Sequence, residues 1–503
     1  MKKTALFYIV VLLCLLPAIL LRDYTPSNEL RYLSIADEAL RQHHLFTFTN
    51  HGALYADKPP LYLWLVMAVR CCPLWSQHML FGLLSVVPAF LTTEVMARLL
   101  RFKGNSLWLF RMLMTTSALW LVTMLTLRMD MLMTLFIVLS IYEFYRLYSS
   151  GRPHESPLLP LWLFLGVFTK GAVGFIVPFS VIVVFLCVKG QGGSLFRYLG
   201  WKSWLMLILL FSLWFGAVYA EGGSGYLYNL AVHQTLGRAF HSFHHRQPIY
   251  YYLYMYWPLL MPWSLWSALA AWRLWRSKSY GNNRVRLALI AMLVTFLCLS
   301  LISSKLSIYL LPLVPFAIAM IPLVPQTGNK AEMWALGIPS FLLALTLPAF
   351  IVANHYWTPM KSFASLPLIM AVLAITVCAV AAFVMTVRHR LQHAAMVLAG
   401  GILLTTYFAG WSMPQINPYL GYQQLCRKVS IMLSDYPGYP LIAVDMKRAA
   451  NMDVYLNRSP RLISSNDSIS IPRHAIVVMP QRDTTIVKLQ EERHVGQYIV
   501  GRK

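Results

Sequence analysis

A few short stretches of this sequence place ionised side chains at the edges of strongly apolar runs. Glu29 and Arg31 are two residues apart, Asp57 and Lys58 are adjacent, and Arg128 and Asp130 flank Met129. Lys170 ends one apolar run, Lys305 precedes another, and His233 and Arg238 share a polar connection. An ionised group next to hydrocarbon is expensive, so each one at an inferred membrane boundary is a functional candidate. Carboxylates beside several cations suit a phosphate-bearing substrate, with the cations holding the phosphate and a carboxylate acting as base. Plainer readings stand beside these. Glu29 follows Pro26-Ser27-Asn28 and completes the first turn of a helix running through Ala39, where it favours the helix dipole. Lys58 in ADKPP is placed to snorkel at an interface, and Asp130 is placed to cap a helix. The segment HQTLGRAFHSFHH (233–245) holds four His. Its His241, His244 and His245 have the helical spacing of a metal cluster, but such an interfacial run is more often a solvated amphipathic face. No Ser-His-Asp order, P-loop or dinucleotide fingerprint is present.

The elements that must position these residues are mostly membrane spans. The chain has 503 residues, of which 58% are hydrophobic and only 12% charged, with a mean hydropathy of +0.58. A soluble globular chain carries about twice that charged share. Apolar runs recur near 6–21, 61–97, 106–126, 131–149, 157–169, 172–188, 203–220, 249–271, 285–302, 307–324, 333–353, 366–387 and 395–412. They predict about 13 transmembrane helices, hence an α-helical polytopic membrane protein. The net charge of +24 could point to nucleic acid, but most basic residues sit in short loops between runs, as the positive-inside bias requires. Membrane lipids, not nucleic acid, account for the charge. Lys2 and Lys3 lead the first run, and Arg22-Asp23-Tyr24 follows it in place of a small-residue cleavage site. An uncleaved first span with a cytoplasmic N-terminus is therefore expected. The alternation of basic loops then puts the long polar loop 22–61, the 221–248 connection and the C-terminus on the far side, which in a bacterium is the periplasm.

The chain divides into a transmembrane part, 1–412, and a C-terminal part, 413–503. In the second, helices are expected at 418–434, 447–456 and 482–491. Strands are expected at 440–446, in RLIS, at 474–480 and in QYIV, which together make a small α/β domain outside the membrane. The seven Cys show neither zinc spacing nor a disulfide framework.

NELRYLSIADEAL (28–40), LYADKPPLYLWL (54–65), RMD (128–130), TKG (169–171), VHQTLGRAF (232–240) and SSKLSIYLLPLVP (303–315) occur in this order. In that order and spacing the chain resembles the polytopic GT-C glycosyltransferases that use polyprenyl-phosphate sugars. Among these it is most similar to the aminoarabinose transferases that modify lipid A and to the related bacterial protein O-mannosyltransferases. The resemblance implies that Glu29 and Asp130 are the acidic catalytic candidates and that Lys58 and Arg31 hold the donor phosphate. Asp57 and His233 would match a metal-contacting pair, which allows a divalent metal. Lys305 and Tyr309 would line the same cavity, with Arg128, Lys170 and Arg238 as further substrate-binding cations. The family's first-loop Asp falls on Asn28 here, and an amide cannot act as a general base.

The expected activity is transfer of a sugar from undecaprenyl phosphate to an envelope glycolipid, lipid A first, at the periplasmic face of the bacterial inner membrane. The resemblance implies inversion at the anomeric carbon. A protein hydroxyl acceptor is the nearest alternative. A transporter or flippase of lipid-linked sugars is the alternative of another class, but the paired half-chain symmetry common in transporters is absent.

Overall fold

In a computed structural model the chain is described over residues 2–151, 154–231, 247–277, 281–356, 363–465, 471–483 and 487–503. Among the described residues, eight helices are long and apolar enough to cross a membrane. They are Lys2–Leu21, Leu74–Leu100, Asp130–Ser149, Trp201–Ala231, Asn283–Leu301, Lys330–Tyr356, Leu366–Val387 and Leu391–Trp411. Four shorter apolar helices, Leu61–Arg70, Leu158–Lys170, Val173–Val188 and Ser307–Leu323, pack among them.

Several runs expected as single spans are broken, and proline accounts for most of the breaks. The run 61–97 divides into Leu61–Arg70 and Leu74–Leu100, with Pro73 at the second helix's start. The run 249–271 divides into Tyr251–Leu259 and Ser264–Arg276 around Pro258 and Pro262. Proline lacks the amide that would continue the helix, and in a membrane the freed groups must find partners in neighbouring elements. The run 106–126 is bent by 67° between Gly104–Thr116 and Ala118–Met124. There the Ala118 amide donates to the Met261 carbonyl at 2.9 Å, and Trp263 Nε1 donates to Thr116 Oγ1 at 3.2 Å. One backbone bond and one side-chain bond thus tie the two broken spans together.

The polar loop after the first span is ordered by its own helix, Glu29–Gln42, and a short hairpin pairing Thr49–Asn50 with Ala53–Leu54. Glu38 joins the two. Its carboxylate accepts from the amides of His51 (2.7 Å) and Gly52 (3.0 Å) and from the Thr49 hydroxyl.

The C-terminal part carries a five-stranded sheet. Arg461–Ile463, Leu441–Val444 and Ile476–Pro480 run parallel, followed by Tyr498–Arg502 and Gln490–Val495 antiparallel at the other edge. The helix Gln423–Asp435 lays Leu425, Cys426, Val429 and Met432 on it. Among the described residues of 482–491 the expected helix is not found. Gln481–Asp483 makes one 3-10 turn and Gln490–Val495 is an edge strand. The polar run QEER gave no apolar alternation to mark that strand, because an edge strand pairs on one side only.

One apolar core joins this sheet to the loop helix. Leu30, Leu33 and Ala36 share it with Leu425, Val429 and Ile476. Polar contacts fix the docking. Asp23 accepts from the Gln423 amide (2.8 Å) and the Tyr455 hydroxyl (2.6 Å), and Asn451 Nδ2 donates to the Pro26 carbonyl at 2.7 Å. Asn417 binds both the Leu21 carbonyl (2.7 Å) and the Asp23 amide (2.9 Å).

Candidate active site

Asp130 opens the helix Asp130–Ser149 and is 1% exposed. A lone carboxylate there would be prohibitive, and two cations meet it. Arg128 Nε lies 3.2 Å from Asp130 Oδ2, and the Lys170 ammonium is ion-paired with Oδ1. Lys170 ends the helix Leu158–Lys170, where Gly171, at φ 107 and ψ −161, turns the chain back into Val173–Val188. That conformation is open to glycine alone. The same ammonium sits 4.2 Å from the centre of the Tyr309 ring, a cation–π contact. Lys58 acts on Asp130 through space. Tyr32, buried in the loop helix, lies within electrostatic range of Arg128, Asp130, Arg31 and Tyr309. Burial pushes its hydroxyl up to about 12, so it stays protonated. The Arg31 guanidinium is 5.8 Å from the centre of the Tyr55 ring. Its buried Nε has no hydrogen-bond partner among the described residues.

Glu29 is joined to this cluster through the backbone. Its Oε1 accepts from the Leu127 amide at 2.7 Å, next to Arg128. Its Oε2 accepts from Arg22 Nη1 (2.8 Å), the Thr25 amide (2.9 Å) and the Thr25 hydroxyl (2.9 Å), while Arg22 Nη2 bonds Oε1. Burial favours the neutral acid, but the Arg22 pair and the two amides outweigh it and hold the carboxyl below the ordinary range. Both oxygens are committed. Asn28, beside it, has no side-chain cap bond to the helix it precedes.

Lys305 is buried and donates to the Gln247 carbonyl at 3.1 Å. Burial lowers the pKa of its ammonium. Asp57 lies within electrostatic range of Tyr226. His233, Arg238 and the run from His241 to His245 lie outside the described residues. Among the described residues no three His, Cys, Asp or Glu side chains converge as a metal site would require.

An apolar groove of about 460 Å³ is lined by Val167, Ala172, Phe175, Trp204, Phe211 and Phe215 among others. Val167 stands one turn before Lys170 on the helix Leu158–Lys170, and Ala172 follows Gly171 where the chain reverses.

This architecture matches a solved structure along its whole length. ArnT from Cupriavidus metallidurans bound to undecaprenyl phosphate superposes with a TM-score of 0.78, covering 99% of this chain and 98% of that one at 17% identity. The chain has the fold of ArnT. The apo state of ArnT superposes with a TM-score of 0.75 at 18% identity. ArnT is an aminoarabinose lipid A transferase of GT-C fold, and the likeness expected from the ordered motifs is found in three dimensions. No family model matches the sequence. An uncharacterized protein of Aquifex aeolicus (strain VF5) is 24% identical over 317 residues, 60% of this chain. The match spans 61% of that protein's length.

Within the ArnT fold, the structure gathers Arg128, Asp130, Lys170 and Tyr309, with Lys58, Arg31 and Glu29 around them. Sequence reasoning missed the partners that hold this group. Arg22 read only as the flank of the first span, yet it is the counter-ion of Glu29. Glu221 and Tyr226 lay in a connection with no motif, and only their polarity beside an apolar run marked them.

Proposed function

We propose that this protein is a GT-C-type glycosyltransferase that takes a sugar from undecaprenyl phosphate and passes it to a phosphate of an envelope glycolipid, lipid A first. The reaction takes place at the periplasmic face of the bacterial inner membrane. The observation that carries the reading is the junction at Lys170. A cation-rich, protein-walled cluster stands there, and Val167, one helical turn before Lys170, lines an apolar groove; an anionic head on a hydrocarbon tail, as in a polyprenyl phosphate, suits that pairing. In transfer the bond between the anomeric carbon and the donor phosphate oxygen breaks, and the acceptor oxygen bonds to that carbon from the opposite face. Polyprenyl phosphate leaves with the negative charge. Lys58, Arg31 and Arg128 hold that charge, as preorganised cations in a dry site do most effectively. Lys170 is oriented by Asp130 and Tyr309.

The carboxylates support a phosphate acceptor over a hydroxyl. Both oxygens of Glu29 are taken, and Asp130 is shared between two cations. A phosphate acceptor is already ionised and needs no base, whereas a hydroxyl acceptor gains ~100-fold or more from one. Glu29 and Asp130 act in this reading by positioning cations. Asp57, with His233 as the resemblance implies, would hold a divalent metal, which would add charge stabilisation to the leaving phosphate.

Mass spectrometry of lipid A from cells with and without the protein tests the reading. A sugar-sized increment on a lipid A phosphate, lost on Lys58→Met, is expected. Unchanged lipid A together with sugar on periplasmic proteins would replace it with protein O-glycosylation.

A further inference from the structure

The long helix beginning at Trp201 is interrupted at Gly223, which sits at φ 71 and ψ −175. At that break it grips the first loop. The Glu221 carboxylate receives three consecutive loop amides, Leu45 (3.1 Å), Phe46 (3.0 Å) and Thr47 (2.7 Å), and also the Thr47 hydroxyl (2.6 Å). Three successive N–H groups around one anion form a nest, a strong and directional arrangement. A Cβ on Gly222 would come within 2.5 Å of Thr47 Cγ2, so only glycine admits this approach. One turn later the buried Tyr226 hydroxyl accepts from the Phe48 amide (3.0 Å) and donates to the Tyr55 carbonyl (2.8 Å). The Tyr55 amide donates back to the Phe48 carbonyl at 2.8 Å. Both ends of the hairpin are therefore tied to one phenol, and Asp57 and Lys58 follow two and three residues later.

We infer that Glu221 and Tyr226 are positioning residues that hold the Asp57–Lys58 segment in place for the donor phosphate. The inference rests on the reading of Lys58 as a donor ligand. With the clasp intact the segment is pre-ordered, and binding does not have to order it. Without the clasp, the competent arrangement is a fraction of the ensemble, and apparent affinity falls by that fraction. The clasp touches no reacting atom, so it acts on binding and leaves turnover at saturating donor unchanged.

The test is binding of undecaprenyl phosphate to the full-length protein in detergent, with amide hydrogen exchange over residues 45–57. Tyr226→Phe removes both hydroxyl bonds. It is expected to weaken binding roughly ten-fold and to speed exchange in 45–57, with kcat at saturating donor retained. Tyr256→Phe is the control for plain loss of a buried hydroxyl. Its bond to Ser267 (2.7 Å) lies away from the loop, and binding should not change. Glu221→Gln serves if Tyr226→Phe does not fold. It leaves the phenol and weakens the nest, and the same pattern is expected. Wild-type binding and protection in Tyr226→Phe, or equal weakening by Tyr256→Phe, overturns the positioning role. Absence of binding by the unaltered protein would instead overturn the donor assignment.

Discussion

Replacing Glu29 by Gln keeps the side chain's size and removes its charge, which separates a clamp from a base. In the clamp, Oε1 accepts from Arg22 Nη2 and the Leu127 amide, and Oε2 from Arg22 Nη1, the Thr25 amide and the Thr25 hydroxyl. Whichever way the Gln amide turns, its NH₂ faces at least two donors. Arg22, 12% exposed, loses its counter-ion. Breaking one partner out of a buried pair destabilises by about 3–5 kcal/mol. The expected result is a clearly lower unfolding midpoint in detergent, with transfer falling in step with the folded fraction. The double variant Arg22→Met/Glu29→Gln should recover much of the stability, because it removes the orphaned guanidinium, and a double-mutant cycle would show the coupling. A Glu29→Gln protein with wild-type stability and abolished turnover would refute the clamp and restore Glu29 as the proton acceptor.

The same carboxyl predicts an acid limb. Its folded pKa lies below the unfolded value of about 4.3. Its contribution is therefore complete above that value and lost as pH falls through the folded pKa, and Glu29→Gln should show a shallower loss of stability in acid. Gly223→Ala puts a side chain at φ 71, ψ −175 and should destabilise by roughly 1–3 kcal/mol, read as earlier thermal unfolding and faster proteolysis near residue 223. Tyr455→Phe removes the hydroxyl that donates to Asp23 at 2.6 Å, and should loosen the C-terminal sheet from the loop helix, measured as faster limited proteolysis after residue 412 with the spans intact.

The helical membrane class was legible because hydropathy acts residue by residue, and the order of short motifs carried the likeness to GT-C enzymes. Breaks within spans were harder to place. Pro258 sits in the last turn of a helix that stops at Leu259 and Pro262 in the connection after it, whereas Pro88 and Pro178 sit inside unbroken helices. The difference lies in whether a distant group such as the Met261 carbonyl finds a new donor, which no local window contains. Asp130, Lys170 and Tyr309 were each visible as charges or motifs, but their convergence is a property of the bundle. Glu29 was legible as important and not as a clamp, because Arg22 and Leu127 are brought to it by different elements. The edge strand Gln490–Val495 shows the opposite limit, a polar segment whose state is set by its neighbour Tyr498–Arg502.

Bonds from Asp23 to residues 394 and 432 positions away join segments translated far apart in time. During synthesis the loop helix emerges well before its docking partner, which follows hundreds of residues later. Until Leu425, Val429, Tyr455 and Ile476 arrive, Leu30, Leu33 and Ala36 have only part of their cover, and Asp23 lacks Tyr455. The ribosome must pass residue 455 before the loop can settle, so a product terminated just after residue 412 would carry the spans that precede it and still lack the sheet that packs on the loop helix.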